Sequence, residues 1–139
     1  MGLMDDFLTE LETDIRSVIS GIPTGETGVE RGVRMPDRLS SENYPHVFLT
    51  DPTEKSEELI YCQKKVEVSV QVILWRINQT HGDSLNDFTA IQAHLNTVSQ
   101  ATMGAANLRG VQVELEQIWE TDDKPYRAAV MRVSGRRVV

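Results

Sequence analysis

The chain has 139 residues, of which 40% are hydrophobic and 25% charged, and its net charge is −7 at pH 7. This length predicts one domain, residues 1–139, with an ordinary hydrophobic core. The negative charge argues against a dedicated nucleic-acid binder, which needs a basic surface. The single cysteine, Cys62, excludes an intrachain disulfide and a multi-cysteine metal site, and it fits a reducing cytoplasm.

The first part of the chain predicts a helix followed by a long irregular connection. Apolar residues recur at three- and four-residue spacing over residues 3–19, which is typical of an amphipathic helix. Residues 21–43 contain four glycines and two prolines, so we expect a long loop there. Val29–Arg34 could form a short strand inside this loop.

Two strands are predicted next. His46–Leu49 follows Pro45 as a short strand, and Asp51–Glu58 is expected to be a polar, acidic loop. The following strand runs from about Leu59 to Trp75, a length that predicts a bend or a projecting hairpin arm near Tyr61–Lys65.

Alternation within this long strand predicts how the sheet is covered. Between Val66 and Leu74 every second residue is valine or leucine, and the residues between them are Glu67, Ser69, Gln71 and Ile73. Because side chains alternate across a strand, one face is dry and the other mostly wet, as in an antiparallel sheet covered on one side.

The rest of the chain predicts one more helix and two closing strands. His81–Asp83 reads as a turn, and Ser84 reads as the N-cap of the helix, with Asp87 completing a capping box. A strand follows in which Val111, Val113, Leu115 and Trp119 share one face. The last strand is expected from Tyr126 to about Val133, with Gly135–Val139 as a tail.

The element order predicts an α+β fold, a mostly antiparallel β-sheet with two α-helices packed on one face. The core is expected to join helix residues to strand residues on that face. The expected helix residues are Phe7, Leu11, Ile15, Phe88, Ile91 and Leu95, and the expected strand residues are Val68, Val70, Val72, Val113 and Leu115.

Residues that carry chemistry are sparse. His46, His81 and His94 are isolated in sequence and form no metal-ligand motif. Glu114 and Glu116 lie about 7 Å apart on one strand face, and such a carboxylate pair can carry out glycosidase chemistry. Only 6% of the chain is aromatic, so no aromatic-rich cleft is implied, and the sequence favours a solvated or lumen-facing stripe. We therefore predict no catalytic, cofactor-binding or metal-binding residues, no cofactor and no enzyme activity.

Charge is distributed unevenly along the chain. Residues 1–30 hold seven acids and one base, whereas residues 124–139 hold five bases and no acid. Two solvated surfaces explain this, and so does head-to-tail complementarity between subunits. The long strand could also pair across subunits by edge addition.

Candidate contact residues follow from this distribution. The candidates for a subunit or tube interface are Arg132, Arg136 and Arg137 of the basic C-terminal stretch, together with Trp75 and Trp119, since tryptophan is enriched in binding hot spots. The alternative for the three arginines is that they belong to a frayed C-terminal tail. The alternative for the two tryptophans is that they lie in the core. Glu67, Glu114 and Glu116 are candidate channel-facing acids, with an outer solubilising surface as the alternative.

The whole-chain order resembles one protein family. An acidic N-terminal helix precedes a glycine-rich segment, the strand Tyr44-Pro45-His46-Val47-Phe48-Leu49, an acidic loop and the Val-rich strand Val66–Leu74. A helix of the form Ser84-Leu-Asn-Asp-Phe88-x-x-Ile91 then precedes two closing strands. This pattern is similar to the tail terminator, or tail completion, proteins of long-tailed bacteriophages over nearly the full chain.

The resemblance implies a virion structural protein without catalytic residues. Such a subunit forms a homo-oligomeric ring, usually a hexamer, that ends tail-tube polymerisation and joins the tail to the head. The implied partners are copies of itself, the tail tube protein and a head–neck connector protein. Genomic DNA passes through the ring without tight binding, and no membrane is involved. The implied location is the tail–neck junction of the virion, reached from the host cytoplasm during assembly.

Two other classes stay open. One is another ring component of the phage neck, a head-completion or connector protein, which is often more helical. The other is a small cellular enzyme or ligand-binding domain, which needs a polar pocket with converging ionisable groups.

Overall fold

The computed structural model describes residues 3–19, 21–22, 28–31, 45–77, 81–98, 109–120 and 126–138. In chain order they form α1 (Leu3–Val18), β1 (Val29–Arg31), β2 (His46–Glu58), a 3-10 turn (Ile60–Cys62), β3 (Lys64–Ile77), α2 (His81–Val98), β4 (Arg109–Glu120) and β5 (Tyr126–Val138). These two helices and one five-stranded, mostly antiparallel sheet confirm the predicted α+β fold.

The long Val-rich strand lies in the middle of the sheet. The strand order is β1-β2-β3-β5-β4, with β1 and β2 parallel and every other neighbouring pair antiparallel. β3 pairs with β2 on one side and with β5 on the other, from Lys65 to Trp75 on both sides. The expectation that this strand adds an edge to a second subunit is therefore wrong, because both of its edges are already paired.

The helices cover one face of the sheet, called the inner face. Val68, Val70 and Val72 point into this core, with exposed fractions of 1%, 0% and 0%, which confirms the predicted alternation. Leu115 is only partly buried and lies outside the main core. The other residues expected in the core all belong to it, with Phe88 packed at its margin: Phe7, Leu11, Ile15, Val113, Ile91 and Leu95.

The opposite face, called the outer face, has a second apolar cluster at one end. Phe48, Ile73, Trp75, Ala128 and Val130 are all buried there. This end of the outer face is therefore buried. The solvent-exposed face expected from the alternation is confined to the part of the sheet nearer the β2–β3 turn.

The acidic segment Asp51–Glu58 is part of β2, so its assignment as a loop is wrong. It pairs with β3 and forms a hairpin whose turn, between Leu59 and Gln63, overlaps the arm predicted near Tyr61–Lys65. Cross-strand partners explain why so polar a segment forms a strand. Lys55 faces Glu67, Glu57 faces Lys65 and Glu58 faces Lys64, and opposite charges directly across a ladder stabilise it.

The boundaries of α2 and β5 also differ from those predicted. α2 begins at His81 rather than after Ser84. β5 continues to Val138, and its last residues pair with β3 from Lys65 to Val68. The described part of the predicted tail, 135–138, is thus a strand.

A bulge in β4 changes which face Trp119 occupies. The register of β4 against β5 shifts between Leu115 and Gln117. Because a bulge breaks the alternation, Trp119 lies on the outer face beside Trp75, and the prediction that it shares a face with Val111 is wrong.

Several predicted features fall on other parts of the chain. Of the expected irregular loop 21–43, the described residues are 21–22 and 28–31, and the latter include β1, which is part of the predicted strand Val29–Arg34. Residues 23–27 and 32–43 lie outside the described residues. Neither α1 nor α2 has the length and apolarity needed to cross a membrane.

Candidate functional site

The end of the outer face nearer the β2–β3 turn is polar. Strand alternation and register bring the predicted residues together there, because Glu67 lies opposite Arg136 and Glu114 lies opposite Arg132. We call this region the outer polar surface. It consists of Asp51, Thr53, Lys55, Glu67, Ser69, Gln71, Gln112, Glu114, Glu116, Arg132, Ser134 and Arg136.

Arg132 lies at the centre of the outer polar surface. Its Nη2 is 3.0 Å from Asp51 Oδ2, its Nε is 3.4 Å from Glu116 Oε1, and its Nη1 is 3.3 Å from Ser69 Oγ. The Gln71 amide donates to the same Glu116 oxygen at 3.4 Å. Since a guanidinium offers five donors in a fixed plane, this one side chain on β5 connects β2, β3 and β4.

Glu67 is the acid most surrounded by bases. Lys65 Nζ lies 3.0 Å from Glu67 Oε1. The hydrogen bond and charge of Lys65 lower the pKa of the Glu67 carboxyl below its usual value of 4.5, and Lys55 and Arg136 lower it further. The carboxylate form is thereby favoured, and it partly neutralises the neighbouring bases.

A concavity of about 310 Å³ opens on the outer polar surface. Lys55, Glu67, Arg132 and Arg136 contribute to its lining, together with hydroxyl and amide side chains. No histidine or cysteine of the described residues lines it, so its hydroxyls have no adjacent imidazole or thiolate. The arrangement suits polar contact with another molecule.

The other three predicted interface residues lie elsewhere. Arg137 is partly buried on the inner face, opposite Val66. Trp75 is buried in the apolar cluster of the outer face, and Trp119 packs beside it with ring centroids 6.1 Å apart. The five candidates therefore do not form one surface, and only Arg132 and Arg136 share the outer polar surface with the candidate acids.

The hairpin arm predicted near Tyr61–Lys65 overlaps the observed hairpin tip, Leu59–Cys62, but the sequence analysis did not identify the exposed apolar side chains of this tip. Ile60 and Tyr61 are 75% and 91% exposed, and the turn is closed by the Leu59 N–H donating to the Gln63 carbonyl at 2.7 Å. Tyr61 and Cys62 have φ values of 65° and 63°, a left-handed conformation that costs about 1–3 kcal/mol for each such residue. The sequence feature that could have indicated this tip is the apolar run Leu59-Ile60-Tyr61, at a position where tight hairpins usually have Asn-Gly.

Two further ion pairs join distant parts of the chain. The Arg76 guanidinium donates two hydrogen bonds to the Asp87 carboxylate, and His94 Nε2 lies 3.3 Å from Asp14 Oδ1. Burial raises the pKa of the Asp14 carboxyl above its usual value of 3.8, and the hydrogen bond with His94 opposes this rise. The first pair ties α2 to β3 and the second ties α1 to α2, so both are structural.

Among the described residues, no three His, Cys, Asp or Glu side chains are grouped so that they could hold a metal ion. A scan against protein-family models finds no match, and a search of curated proteins finds none either.

Proposed function

We propose that this chain is the subunit of a homo-oligomeric ring at the top of a bacteriophage tail tube, where it ends tube polymerisation and joins the tail to the neck. The whole-chain resemblance to tail terminators suggests this function. The observation that carries it is a sheet with one face covered by its own helices and a charged, open surface on the other. Such a subunit can turn its polar surface toward a central channel while its helices form the outside.

The strand content of the described residues supports this proposal over the nearest alternative. Five strands of up to 14 residues outweigh two helices. Head-completion and connector proteins are often more helical, so this balance favours a tail terminator.

The charge of the outer polar surface suits a channel through which DNA slides. Four acids (Asp51, Glu67, Glu114 and Glu116) stand among three bases (Lys55, Arg132 and Arg136). Tight binding to duplex DNA needs several unopposed cations on phosphates. Here carboxylates accompany the cations, so phosphates find no continuous basic track.

This channel role is tested by electrophoretic shift with duplex DNA at low salt. The wild-type protein should show no submicromolar binding. Changing Glu67, Glu114 and Glu116 together to glutamine should uncover the bases and produce salt-sensitive binding. The matched control changes Asp6, Glu10 and Glu12 on α1 to their amides, which alters the net charge equally on the helix side of the molecule. Submicromolar binding by the wild type would contradict the proposal.

Ring formation is tested by multi-angle light scattering over a concentration series. The mass should rise to a fixed multiple of the 15.6 kDa chain and then stay constant, as expected for closed symmetry. A mass that stays at one chain at millimolar concentration, or one that grows without limit, would count against a ring.

A further inference from the structure

The concavity of the outer polar surface has a floor of short side chains between walls of longer ones. Thr53 lies opposite Ser69, and Ser69 lies opposite Ser134, so three hydroxyl residues stand side by side on β2, β3 and β5. Residues two apart on a strand are about 7 Å apart, and the rows on either side of this floor hold long basic side chains. The basic side chains of the lining are Lys55, Arg132 and Arg136.

The floor has hydroxyl hydrogens that are free to bond a ligand. Thr53 Oγ1 and Ser69 Oγ are 2.6 Å apart, so one hydroxyl donates to the other and one O–H of the pair remains. Arg132 Nη1 donates to the Ser69 oxygen at 3.3 Å, which leaves that count of O–H groups unchanged. The Ser134 hydroxyl bonds to no other group of the protein within 3.5 Å among the residues that the structure describes. Two O–H groups can therefore be donated to one bound oxyanion.

Positive charge exceeds negative charge in the lining. Its three bases face one acid, Glu67, whose carboxylate is already paired with Lys65 at 3.0 Å. Within the described part of the chain, neither Lys55 nor Arg136 has an ion pair within 4.0 Å. Lys65 lowers the pKa of the Glu67 carboxyl most, and the charges of Lys55 and Arg136 lower it further. The field of these two bases thus extends into the concavity.

We propose that the concavity binds a tetrahedral dianion, either inorganic phosphate or a phosphate monoester, through Lys55, Arg136 and the hydroxyls of the floor. Two bases without ion pairs match two negative charges. The donors stand on three strands, and a tetrahedral oxyanion presents oxygens in several directions, whereas a carboxylate presents two in one plane. The ion pairs of Arg132 with Asp51 and Glu116 fix its guanidinium at the far wall.

The size and charge of the concavity distinguish this ligand from the DNA backbone. Its volume of about 310 Å³ lies at the lower end of the range of about 300–1,000 Å³ typical of small-molecule sites, so it has room for the organic part of a monoester. A backbone phosphate is a diester with one negative charge, which two unpaired bases favour less. The site belongs to the single subunit, so it goes beyond the proposed ring and is compatible with DNA that slides past.

Nuclear magnetic resonance of the dilute wild-type protein tests the site. Sodium phosphate is added at about pH 7.5, where phosphate is mostly a dianion, and sodium chloride keeps the ionic strength constant. The amide resonances of Ser69, Ser134 and Gly135 should shift and saturate with a dissociation constant on the order of 1 mM. Dimethyl phosphate, which mimics the DNA backbone, and acetate should each bind about tenfold more weakly or less.

Three variants of exposed side chains and one control give this titration its sign. Lys55→Gln and Arg136→Gln should each weaken phosphate binding about tenfold, whereas Glu67→Gln removes the competing carboxylate and should tighten it. Arg16→Gln on α1 removes one positive charge from the helix side of the molecule and should bind as the wild type does. Circular dichroism checks that all four variants fold.

Three results would overturn the site. The first is the lack of any saturable shift at Ser69, Ser134 and Gly135 up to about 50 mM phosphate. The second is dimethyl phosphate that binds as tightly as phosphate, which would assign the contact to a nucleic-acid backbone. The third is an equal loss of affinity in Arg16→Gln and Arg136→Gln, which would show that binding follows net charge alone. Ring formation is measured separately, so either proposal can fail while the other stands.

Discussion

At the scale of single residues, two ion pairs are contacts that could not be predicted from the local sequence. Asp87 was predicted to complete a capping box with Ser84, and it instead accepts two hydrogen bonds from Arg76 on β3. His94 was isolated in sequence, and it meets Asp14, 80 residues earlier. Both contacts depend on how the helices pack on the sheet, so no spacing rule within one element predicts them.

Asp87→Ala should destabilise the fold by about 2 kcal/mol. Breaking a buried ion pair leaves an uncompensated charge, and the expected cost is reduced because the Arg76 side chain is still 23% exposed. Urea unfolding measures the difference. Asp51→Asn, which removes the charge of a 65% exposed partner of Arg132 and keeps a residue type that tolerates the left-handed backbone at this position, is the matched control and should cost about 0.5 kcal/mol or less. Equal losses in the two variants would contradict a structural role for Asp87.

Asp14 should make stability fall as the pH rises from about 4. Its folded-state pKa is raised, so the folded protein holds this proton more tightly than the unfolded chain does. Stability is therefore lost as the pH rises through the unfolded pKa toward the folded one. Asp14→Asn should remove this fall, so its stability relative to wild type should increase with pH in that window.

The variant His94→Ala should widen the pH range over which stability is lost. It removes the interaction that lowers the Asp14 pKa, so the fall in stability should extend to higher pH. Unfolding curves collected at half-unit pH intervals measure both variants. A stability difference between Asp14→Asn and wild type that does not change with pH would show that this carboxyl does not contribute as described.

At the scale of elements, hydrophobic periodicity predicted most of the helices and strands, but it did not identify the strand segment that is made of polar residues. The alternation in Val66–Leu74 gave both the strand and its buried face. The segment Asp51–Glu58 has low intrinsic strand propensity, and it forms β2 because β3 supplies its ladder and opposite charges. The bulge that turns Trp119 likewise depends on its partner β5, not on the sequence of β4 alone.

Leu95→Ala should cost about 2–5 kcal/mol because it leaves a cavity between α2 and the inner face of the sheet. Leu95 is 1% exposed, whereas Leu85 on the same helix is 37% exposed. Leu85→Ala should therefore cost the isolated subunit about 0.5 kcal/mol. Thermal and urea unfolding measure both variants, and a small effect of Leu95→Ala would contradict the packing of α2.

At the scale of the whole molecule, the candidate site was predicted in part. Alternation placed Glu67, Glu114 and Glu116 on polar strand faces, and the sheet keeps them there. That Arg132 and Arg136 share the same surface depends on the β3–β5 and β4–β5 registers, which no single strand reveals. On the outer face, the bases Arg132 and Arg136 of β5 thus lie among the acids of β3 and β4.

Negative-stain electron microscopy of the purified protein at high concentration tests the central proposal most directly. We expect round particles of uniform diameter with a stain-filled central opening, and class averages with one cyclic symmetry, six-fold if the number of copies follows the family that the chain resembles. A field of small particles without an opening, at concentrations where light scattering also finds one chain per particle, would contradict it.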